Sequence, residues 1–326
     1  MNDLKHKILA RVKNDLADIE VALEQNLNPY LDLVSQIAGH ILFSGGKRLR
    51  PLLMVLSARI CGYNGDYDKV FSTIFEYLHA ATLLHDDLVD EATMRRGKPV
   101  ANSIWGNPAA VLVGDFLLAR SLAIAAETKQ PEVIKVVSNI TENMSQGEIH
   151  QLMRKGHLDL TEAEYMKIIE RKTAVLFQGT CCSGALIANV PPNKKKALSD
   201  YGFNLGIAFQ MVDDLLDYSL DSTVLGKEVG ADLKEGKLTL PVIRSLISAG
   251  IEDRTLMENI IKNKDFSINS FEILIKMIDK YDGRTYTQNL ATEYVQHAKE
   301  ALDVFKNSET KETLLMIADY TLSRKF

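Results

Sequence analysis

Apolar residues recur at helical spacing along most of the chain. Near the N-terminus they occupy every third or fourth position, at Leu4, Ile8, Val12, Leu16, Ile19 and Leu23. This spacing predicts an amphipathic helix with one buried face. Later segments of similar pattern are rich in Leu, Ala, Ile, Glu and Lys, and glycine and proline concentrate in short breaks between them. Alternating strand patterns are scarce, so the chain is predicted to be all-α.

The sequence shows no sign of a boundary between separate domains. It contains neither a low-complexity linker nor a repeat of fixed period, so residues 1–326 are predicted to form one large helical domain. The N-terminal residues mix charges and lack the apolar core of a signal peptide. The longest uncharged run, Thr173 to Asn193, is long enough for a membrane span. It contains Gln178 and two prolines, so a buried helix is the better interpretation.

Charge and cysteine usage narrow the function classes. The chain has 38 basic and 43 acidic residues, a net charge of −5, which gives no reason to expect nucleic-acid binding. Its three cysteines, Cys61, Cys181 and Cys182, are an odd number with two of them adjacent. This arrangement is neither a disulfide framework nor a C-x-x-C site, so a reducing, cytoplasmic location is predicted.

Two aspartate clusters are the strongest chemical signal. Both have the pattern D-D-x-x-D, at Asp86, Asp87 and Asp90 and at Asp213, Asp214 and Asp217. On a helix, each cluster would place three carboxylates within an arc of about 100°. Like charges this close repel one another, so an apolar setting requires cations to neutralise them. Carboxylates suit Mg²⁺, which usually bridges to substrate phosphates, so we expect two acidic helix faces that hold Mg²⁺ against a diphosphate in a central cavity.

Five motifs in order over residues 40–245 resemble those of the trans-isoprenyl diphosphate synthases, or polyprenyl synthases. They are GGKRLRP at Gly45 to Pro51, HDDLVDEATMRRGKP at His85 to Pro99, RKTA at Arg171 to Ala174, FQMVDDLLD at Phe209 to Asp217 and GKEVGADLKEGKLTLP at Gly226 to Pro241. A single D-D-x-x-D would be weak support, whereas five motifs in the right order are specific. The resemblance implies a single helical bundle of the isoprenoid synthase type around a central cavity.

The resemblance also implies a reaction. The family joins an allylic diphosphate to isopentenyl diphosphate: the allylic C–O bond ionises, the isopentenyl double bond attacks the cation, and a proton is then lost. Metal ions and fixed cations stabilise the charge that grows on the leaving diphosphate. Similarity implies three Mg²⁺, with Asp86 and Asp90 as ligands on one side and Asp213 with Asp217 on the other. Asp87 and Asp214 would be outer or weaker ligands.

The cation positions of the family map onto this sequence. Binding of the allylic diphosphate is implied for Arg95, Lys172 and Lys227, with Lys237 a weaker candidate. Binding of isopentenyl diphosphate is implied for Lys47, Arg50, His79 and Arg96. Arginine suits this task because its planar fork grips phosphate oxygens bidentately. Thr173 and Gln210 would lie near the reacting carbons as neutral dipoles, and the departing diphosphate would accept the proton.

Product length is expected to depend on residues upstream of the first aspartate motif. In the family, bulky side chains there block the growing chain, and farnesyl and geranylgeranyl synthases generally carry aromatic residues. The fifth and fourth residues upstream are here Ala81 and Thr82. Their small side chains, in a flank that looks most like bacterial octaprenyl-type synthases, imply a long all-trans product of about C35 to C45 for quinone side chains. Deeper residues such as Tyr77, Leu118 or those near Met144 could stop growth sooner.

Three other interpretations stay open from the sequence. The nearest is a short-chain synthase of the same family. A second is a non-catalytic partner subunit, although such subunits usually lose one acidic motif. A third, a carboxylate-bridged di-iron bundle, needs Glu-x-x-His pairs, which Glu148 and His150 do not supply. The family is usually homodimeric, so a homodimer is expected. The product is strongly hydrophobic and must leave towards a membrane, so weak peripheral membrane contact also stays open.

Overall fold

A computed structural model describes residues 2–218 and 230–323, and helices dominate this part of the chain. In chain order they are α1 (Asn2–Leu27), α2 (Asp32–Leu42), α3 (Leu49–Ile60), α4 (Asp68–Val89), α5 (Ala101–Trp105), α6 (Asn107–Glu127), α7 (Pro131–Arg154), α8 (Glu162–Ile169), α9 (Val175–Ile187), α10 (Pro192–Leu216), α11 (Ala231–Lys234), α12 (Leu240–Ser248), α13 (Ile251–Lys262), α14 (Ile268–Lys280), α15 (Gly283–Ala301) and α16 (Glu309–Leu322). A π-turn at Glu170–Ala174 joins α8 to α9, and a 3₁₀ turn at Leu302–Val304 follows α15. The all-α prediction is confirmed.

The only strands within the described ranges form a short hairpin. β1 (Met94–Arg95) pairs antiparallel with β2 (Lys98–Pro99), so that Arg95 lies opposite Lys98. The two residues of the turn, Arg96 and Gly97, both have positive φ, at 51° and 75°. Type I′ turns require this backbone conformation, which matches the twist of paired strands. The sequence pattern missed the hairpin because two-residue strands are too short to show alternation.

The chain divides into two compact units. The first takes its residues from Met1–Glu142, Leu176–Gly202 and Ala301–Ile317. The second takes them from Asn143–Val175, Phe203–Glu300 and Ala318–Phe326. Each unit contains one of the two aspartate motifs. The single domain expected over residues 1–326 stays a prediction.

Helix α4 is central to the first unit. It packs against α1, α2, α3 and α6. The apolar face predicted for α1 is largely buried, through Ile8, Val12, Ile19 and Leu23. Because burial removes apolar area from water, this packing stabilises the unit and fixes the axis of α4. The first aspartate motif lies at the C-terminal end of that axis.

The second unit has its own apolar core. The buried side chains that form it include Tyr165 and Ile168 of α8, Met211 of α10, Leu240 of α12 and Leu274 of α14. Helix α8 begins at a capping box, in which Thr161 and Glu164 satisfy each other's backbone N–H groups. The core therefore fixes α8, which precedes Lys172 and Thr173, and α10, which carries Gln210, Asp213 and Asp214.

Two apolar segments have different surroundings. Most side chains of α9, within the uncharged run at Thr173 to Asn193, are buried, as predicted. Among the described helices, only α6 is long and apolar enough to span a membrane by length and composition, and 39% of its apolar stretch is buried. Core helices of soluble proteins can have the same length and composition. Helix α6 packs along α4, where Ser121 Oγ lies 3.2 Å from the carbonyl oxygen of Ile74.

Candidate active site

The first aspartate motif ends α4. Asp86 and Asp90 are partly exposed, whereas Asp87 is buried. The Arg95 guanidinium neutralises Asp87: its Nε donates to the two carboxylate oxygens at 2.9 and 3.1 Å, and its Nη2 lies 2.8 Å from Oδ1. The middle aspartate is therefore held in an ion pair with the protein. Asp86 and Asp90, one helical turn apart, remain partly exposed, and the outer-shell role of Asp87 stays a prediction.

Cationic side chains gather around His79 on α4. Burial and the positive charges of Arg50, Arg96, Arg95 and Arg48 lower the pKa of His79 well below its usual range. Its imidazole is consequently neutral at neutral pH. The structure brings together Arg50, His79 and Arg96, three of the four residues predicted for isopentenyl diphosphate, and places Arg95 beside them.

Tight backbone turns assemble this cluster. The hairpin turn presents Arg95 and Arg96, and the loop before α3 presents Lys47, which is exposed. The loop passes very close to the arginines: a Cβ at Gly46 would lie 3.1 Å from Nη1 of Arg48 and 3.5 Å from Nη1 of Arg96. Gly45 has a φ of 91°, a conformation that favours glycine, and a side chain at Gly46 would have to displace the Arg48 guanidinium slightly. Arg50, on the first turn of α3, stacks 5.0 Å from the centroid of the Phe177 ring.

Arg48 is a structural residue that the sequence analysis missed. Its Nε and Nη2 donate to the two oxygens of Glu20 at 2.6 and 3.1 Å, and Nη1 donates to Glu76 Oε1 at 2.8 Å. Nη2 also donates to the Leu42 carbonyl at 2.7 Å. Arg48 has a left-handed φ of 49° immediately before α3. This network, in which Arg48 and Glu76 are buried and Glu20 is partly exposed, ties the Gly-Gly loop to α1, α2 and α4.

A small cavity of about 10 Å³ lies beside Arg95 and Arg96. Asp87, Arg95, Arg96 and His40 are among the residues that line it. His40 Nε2 lies 2.9 Å from the Pro99 carbonyl oxygen. This contact joins α2 to the hairpin and adds a polar side chain that the sequence analysis did not select.

The second aspartate motif repeats the division seen in the first. Asp213 and Asp217 are partly exposed, and Asp214 is buried. Neutral donors satisfy Asp214: the Tyr165 hydroxyl donates to Oδ2 at 2.6 Å and Gln210 Nε2 donates to Oδ1 at 2.8 Å. Burial, with the nearby carboxylate of Asp232, raises the pKa of Asp214 well above its usual range. Asp214 is thus held by contacts within the protein, as Asp87 is.

Asp217 has a further contact that the sequence did not predict. Its two carboxylate oxygens accept hydrogen bonds from the backbone N–H groups of Ala231 and Asp232, at 3.0 and 3.1 Å. The carboxylate therefore caps the short helix α11. Asp232 itself joins the acidic group near Asp214.

A cavity of about 160 Å³ lies beside Asp214 within the second unit. Five predicted residues line it: Lys172, Thr173, Gln210, Asp214 and Lys237. It is also lined by polar residues that were not predicted, namely Gln151, Arg154, Lys155, Tyr165, Asp232 and Thr239. Asp232 and Thr239 lie within the motif at Gly226 to Pro241, whereas the others belong to none of the five motifs and could be found only from the fold. Lys227 lies outside the described residues.

Hydrogen bonds order the predicted residues of this cavity. Thr173 Oγ1 donates to Gln210 Oε1 at 2.8 Å, and Gln210 in turn donates to Asp214. The Lys172 ammonium forms an ion pair with Glu148. Lys237 Nζ lies 2.7 Å from Glu235 Oε2. The cavity therefore combines lysine cations with an ordered neutral dipole, which suits an anionic leaving group next to an electron-poor carbon.

The carboxylates fit Mg²⁺ only in part by themselves. No group of three or more His, Cys, Asp or Glu side chains converges into a metal cluster within residues 2–218 and 230–323. Mg²⁺ is usually held by one or two carboxylates, several waters and substrate phosphates. Asp86 and Asp90 in the first unit, and Asp213 in the second, are partly exposed carboxylates. Taken separately, each of these donor sets fits an ion whose coordination is completed by water and diphosphate.

The residues expected to set product length lie within the helical packing of the first unit. Ala81 is only 4% exposed. Thr82 is partly buried, and its hydroxyl donates to the His79 carbonyl at 2.9 Å. The Tyr77 hydroxyl donates to the Leu23 carbonyl at 2.6 Å, which holds its ring towards α1. Small side chains therefore occupy the fifth and fourth positions before the aspartate motif on α4.

Known proteins resemble this chain over nearly its full length. The polyprenyl synthetase family profile matches residues 31–278. The octaprenyl diphosphate synthase of Escherichia coli is 37% identical over 318 residues, 98% of each chain. The all-trans-nonaprenyl-diphosphate synthase (geranyl-diphosphate specific) of Rhodobacter capsulatus is 36% identical over 323 residues, 99% of this chain and 98% of the relative.

The fold gives the same result. A crystal structure of a polyprenyl synthase from Caulobacter crescentus, complexed with calcium and isoprenyl diphosphate, superimposes with a TM-score of 0.92 at 36% identity over 98% of each chain. Other relatives are named for heptaprenyl or geranylgeranyl products. Because family, sequence and fold agree, this chain belongs to the polyprenyl synthetase family and is a trans-prenyl diphosphate synthase.

Proposed function

We propose that the enzyme makes a long all-trans polyprenyl diphosphate, of heptaprenyl to nonaprenyl length and centred on octaprenyl, for quinone side chains. The observation that carries this proposal is the buried methyl side chain of Ala81 on α4, which leaves an elongating chain more room than an aromatic ring would. The octaprenyl and nonaprenyl names of two relatives support it. A geranylgeranyl relative supports the competing, short-chain assignment.

The proposed roles follow the chemistry of each unit. In the first unit, Lys47, Arg50, His79 and Arg96 bind isopentenyl diphosphate, and Arg95 binds the allylic diphosphate. In the second, Lys172, Lys237 and Lys227 hold the allylic diphosphate, and Thr173 with Gln210 orients a neutral dipole towards the developing cation. Neutral dipoles stabilise a carbocation without capturing it, whereas an anion would form a bond to it.

Magnesium is the proposed cofactor, with three ions per site. Asp86 and Asp90 would hold it in the first unit, and Asp213 with Asp217 in the second, with Asp87 and Asp214 as outer residues. When bound, Mg²⁺ would neutralise charge on the diphosphate oxygens. The protein's own part is to hold Asp87 and Asp214 in internal contacts, while the first and last aspartates of each motif stay partly exposed.

A homodimer in the cytoplasm, with weak membrane contact at most, completes the proposal. The exposed apolar side chains of α6 are the argument for a dimer. They include Val111, Leu112 and Leu122, and Leu112 is 66% exposed. Leu112→Glu should therefore shift the sedimentation coefficient towards that of a monomer. Ile251→Glu on α13, where the residue is 87% exposed, should leave it unchanged. Equal behaviour of the two variants would contradict the proposed α6 interface.

The main experiment measures product length directly. Purified enzyme is incubated with labelled isopentenyl diphosphate, an allylic primer and Mg²⁺, with a chelator as control. The proposal predicts Mg²⁺-dependent incorporation and products centred on octaprenyl. Farnesyl or geranylgeranyl diphosphate as the final product would establish the short-chain alternative. Full activity in the chelator would contradict the role of magnesium.

A further inference from the structure

We propose that Glu148 and Gln151 of α7 form a clamp that positions the Lys172 ammonium, and that Gly147 allows α7 to approach closely enough for the clamp to form. Glu148 is a positioning residue, because it acts through Lys172. The inference rests on the proposed role of Lys172 in binding the allylic diphosphate. It adds the residues that hold this cation in place.

The clamp has an acidic and a neutral arm. The Glu148 carboxylate forms an ion pair with the Lys172 ammonium, and Gln151 Oε1 accepts a hydrogen bond from Lys172 Nζ at 2.7 Å. Residues three apart on a helix lie on the same face, so both arms reach Lys172 from α7. Lys172 and Gln151 line the cavity of about 160 Å³, whereas Glu148 is not among its lining residues. The Glu148 carboxylate therefore contacts the Lys172 ammonium from outside the cavity lining.

Gly147 explains why α7 can lie so close. A Cβ at this position would be 2.8 Å from the backbone nitrogen of Lys172 and 2.9 Å from Cβ of Arg171. These distances are shorter than real Cβ contacts, and the first of them is to backbone, which cannot move aside cheaply. Any larger residue would push α7 away from the π-turn. Glu148, the next residue, would move with it.

The π-turn aims neighbouring residues at different partners. Glu170–Ala174 adopts this wide turn between α8 and α9. Within it, Lys172 faces Gln151 and Glu148, while Thr173 Oγ1 donates to Gln210 at 2.8 Å. Single π-turns inside α-helices occur frequently at functional sites. Here the turn directs Lys172 towards the clamp. It directs Thr173 towards Gln210, which in turn donates a hydrogen bond to Asp214.

The clamp reduces the ordering needed when an anion binds. A lysine side chain is long and flexible, and its ammonium has three donors. Two of these donor directions are taken by Glu148 and Gln151, so a further donor remains for an incoming phosphate oxygen. Preorganisation of this kind strengthens interactions in the transition state, because less freedom is lost as the diphosphate departs.

A double-mutant cycle in the full-length enzyme tests the clamp. Glu148→Ala should lower kcat/KM for the allylic substrate about tenfold, with the KM for isopentenyl diphosphate nearly unchanged. Glu148→Gln, which keeps an acceptor, should lose less. In a Lys172→Ala background, Glu148→Ala should cause no further loss. Gln146→Ala, which removes the exposed contact to Arg171 at 3.2 Å, is the matched control.

The outcomes separate the clamp from the function on which it rests. Additive losses in the double variant, or a Glu148→Ala enzyme that behaves like the Gln146→Ala control, would overturn the clamp alone. Wild-type kinetics in Lys172→Ala would overturn the role proposed for Lys172 and the clamp with it. Melting temperatures identify folding defects; if Glu148→Ala is unstable, the cycle is run with Glu148→Gln. Gly147→Ala should reduce activity even when Glu148 and Lys172 are retained.

Discussion

At the residue scale, the same D-D-x-x-D spacing creates two environments. Residues four apart on a helix lie about 40° apart around the axis, whereas neighbours lie about 100° apart. Asp86 and Asp90 can therefore share an accessible face while Asp87 turns inwards to Arg95, and Asp214 turns inwards to Tyr165 and Gln210. A buried carboxylate needs such partners, because an unsatisfied one is costly. This separation leaves the first and last aspartates of each motif partly exposed.

The cations of the first unit should separate by substrate. Arg50→Ala should raise the KM for isopentenyl diphosphate more than that for the allylic substrate, and Arg95→Ala should do the reverse or mainly lower kcat. A charge-assisted phosphate contact contributes about 1.5–3 kcal/mol, roughly 10- to 150-fold. Steady-state kinetics with each substrate varied in turn measures this. Because Arg95→Ala also leaves Asp87 without its cation, its melting temperature is recorded. Equal effects on both substrates would refute the assignment.

The neutral imidazole of His79 should make stability depend on pH. The pKa of His79 in the folded protein lies well below the ordinary value of 6.5. As pH falls below 6.5, the unfolded chain therefore binds a proton that the folded protein does not, and stability falls by up to about 1.4 kcal/mol per pH unit. Above this pH the histidine contributes no such dependence. Urea unfolding at several pH values should show a smaller loss in His79→Gln; identical pH profiles would contradict the prediction.

At the scale of elements, a buried ion network fixes the loop between α2 and α3. Arg48 joins Glu20 of α1 and Glu76 of α4, and its side chain is 5% exposed while that of Glu76 is 10% exposed. Lys47 and Arg50 lie on either side of it. The geometry of the loop that we propose to bind diphosphate therefore depends on Arg48, a residue that we do not place in contact with substrate.

Arg48→Met should destabilise the protein by about 3–5 kcal/mol, because it leaves Glu76 buried without its cation. The matched control is Arg11→Met, since Arg11 pairs with Glu312 at the surface and exposed pairs contribute about 0–1 kcal/mol. Equilibrium unfolding in urea compares the two variants. Similar free energies of unfolding would show that the Arg48 network contributes little.

The packing around α4 should also limit product length. Ala81→Phe is expected to shorten the product towards farnesyl or geranylgeranyl diphosphate, because a close-packed wall absorbs an added ring only at a cost of about 1–3 kcal/mol. The first condensation should be spared, since short substrates end before the block. Ala10→Phe, at an exposed position of α1, is the control. If Ala81→Phe makes chains as long as those of wild type, Ala81 does not line the path of the product.

At the scale of the whole molecule, local patterns predicted elements and motif residues but not the contacts between them. Helical spacing identified the buried face of α1, and the motifs identified the residues of both aspartate clusters. The hairpin was too short for periodicity to register. Arg48 could not be distinguished from its neighbours in Lys47 to Arg50, because its role depends on Glu20 and Glu76. The clamp of Lys172 likewise comes from α7, more than 20 residues earlier in the chain.

The central claim is that both acidic motifs serve one Mg²⁺-dependent condensation. The most direct test measures kcat for isopentenyl diphosphate incorporation at saturating Mg²⁺ in Asp86→Ala and Asp213→Ala, with Asp18→Ala on the exposed side of α1 as control. Alanine is compatible with a helix, so all three variants should remain folded. We predict that both motif variants lose activity by orders of magnitude while the control retains it. Near wild-type turnover in either folded motif variant would contradict the account.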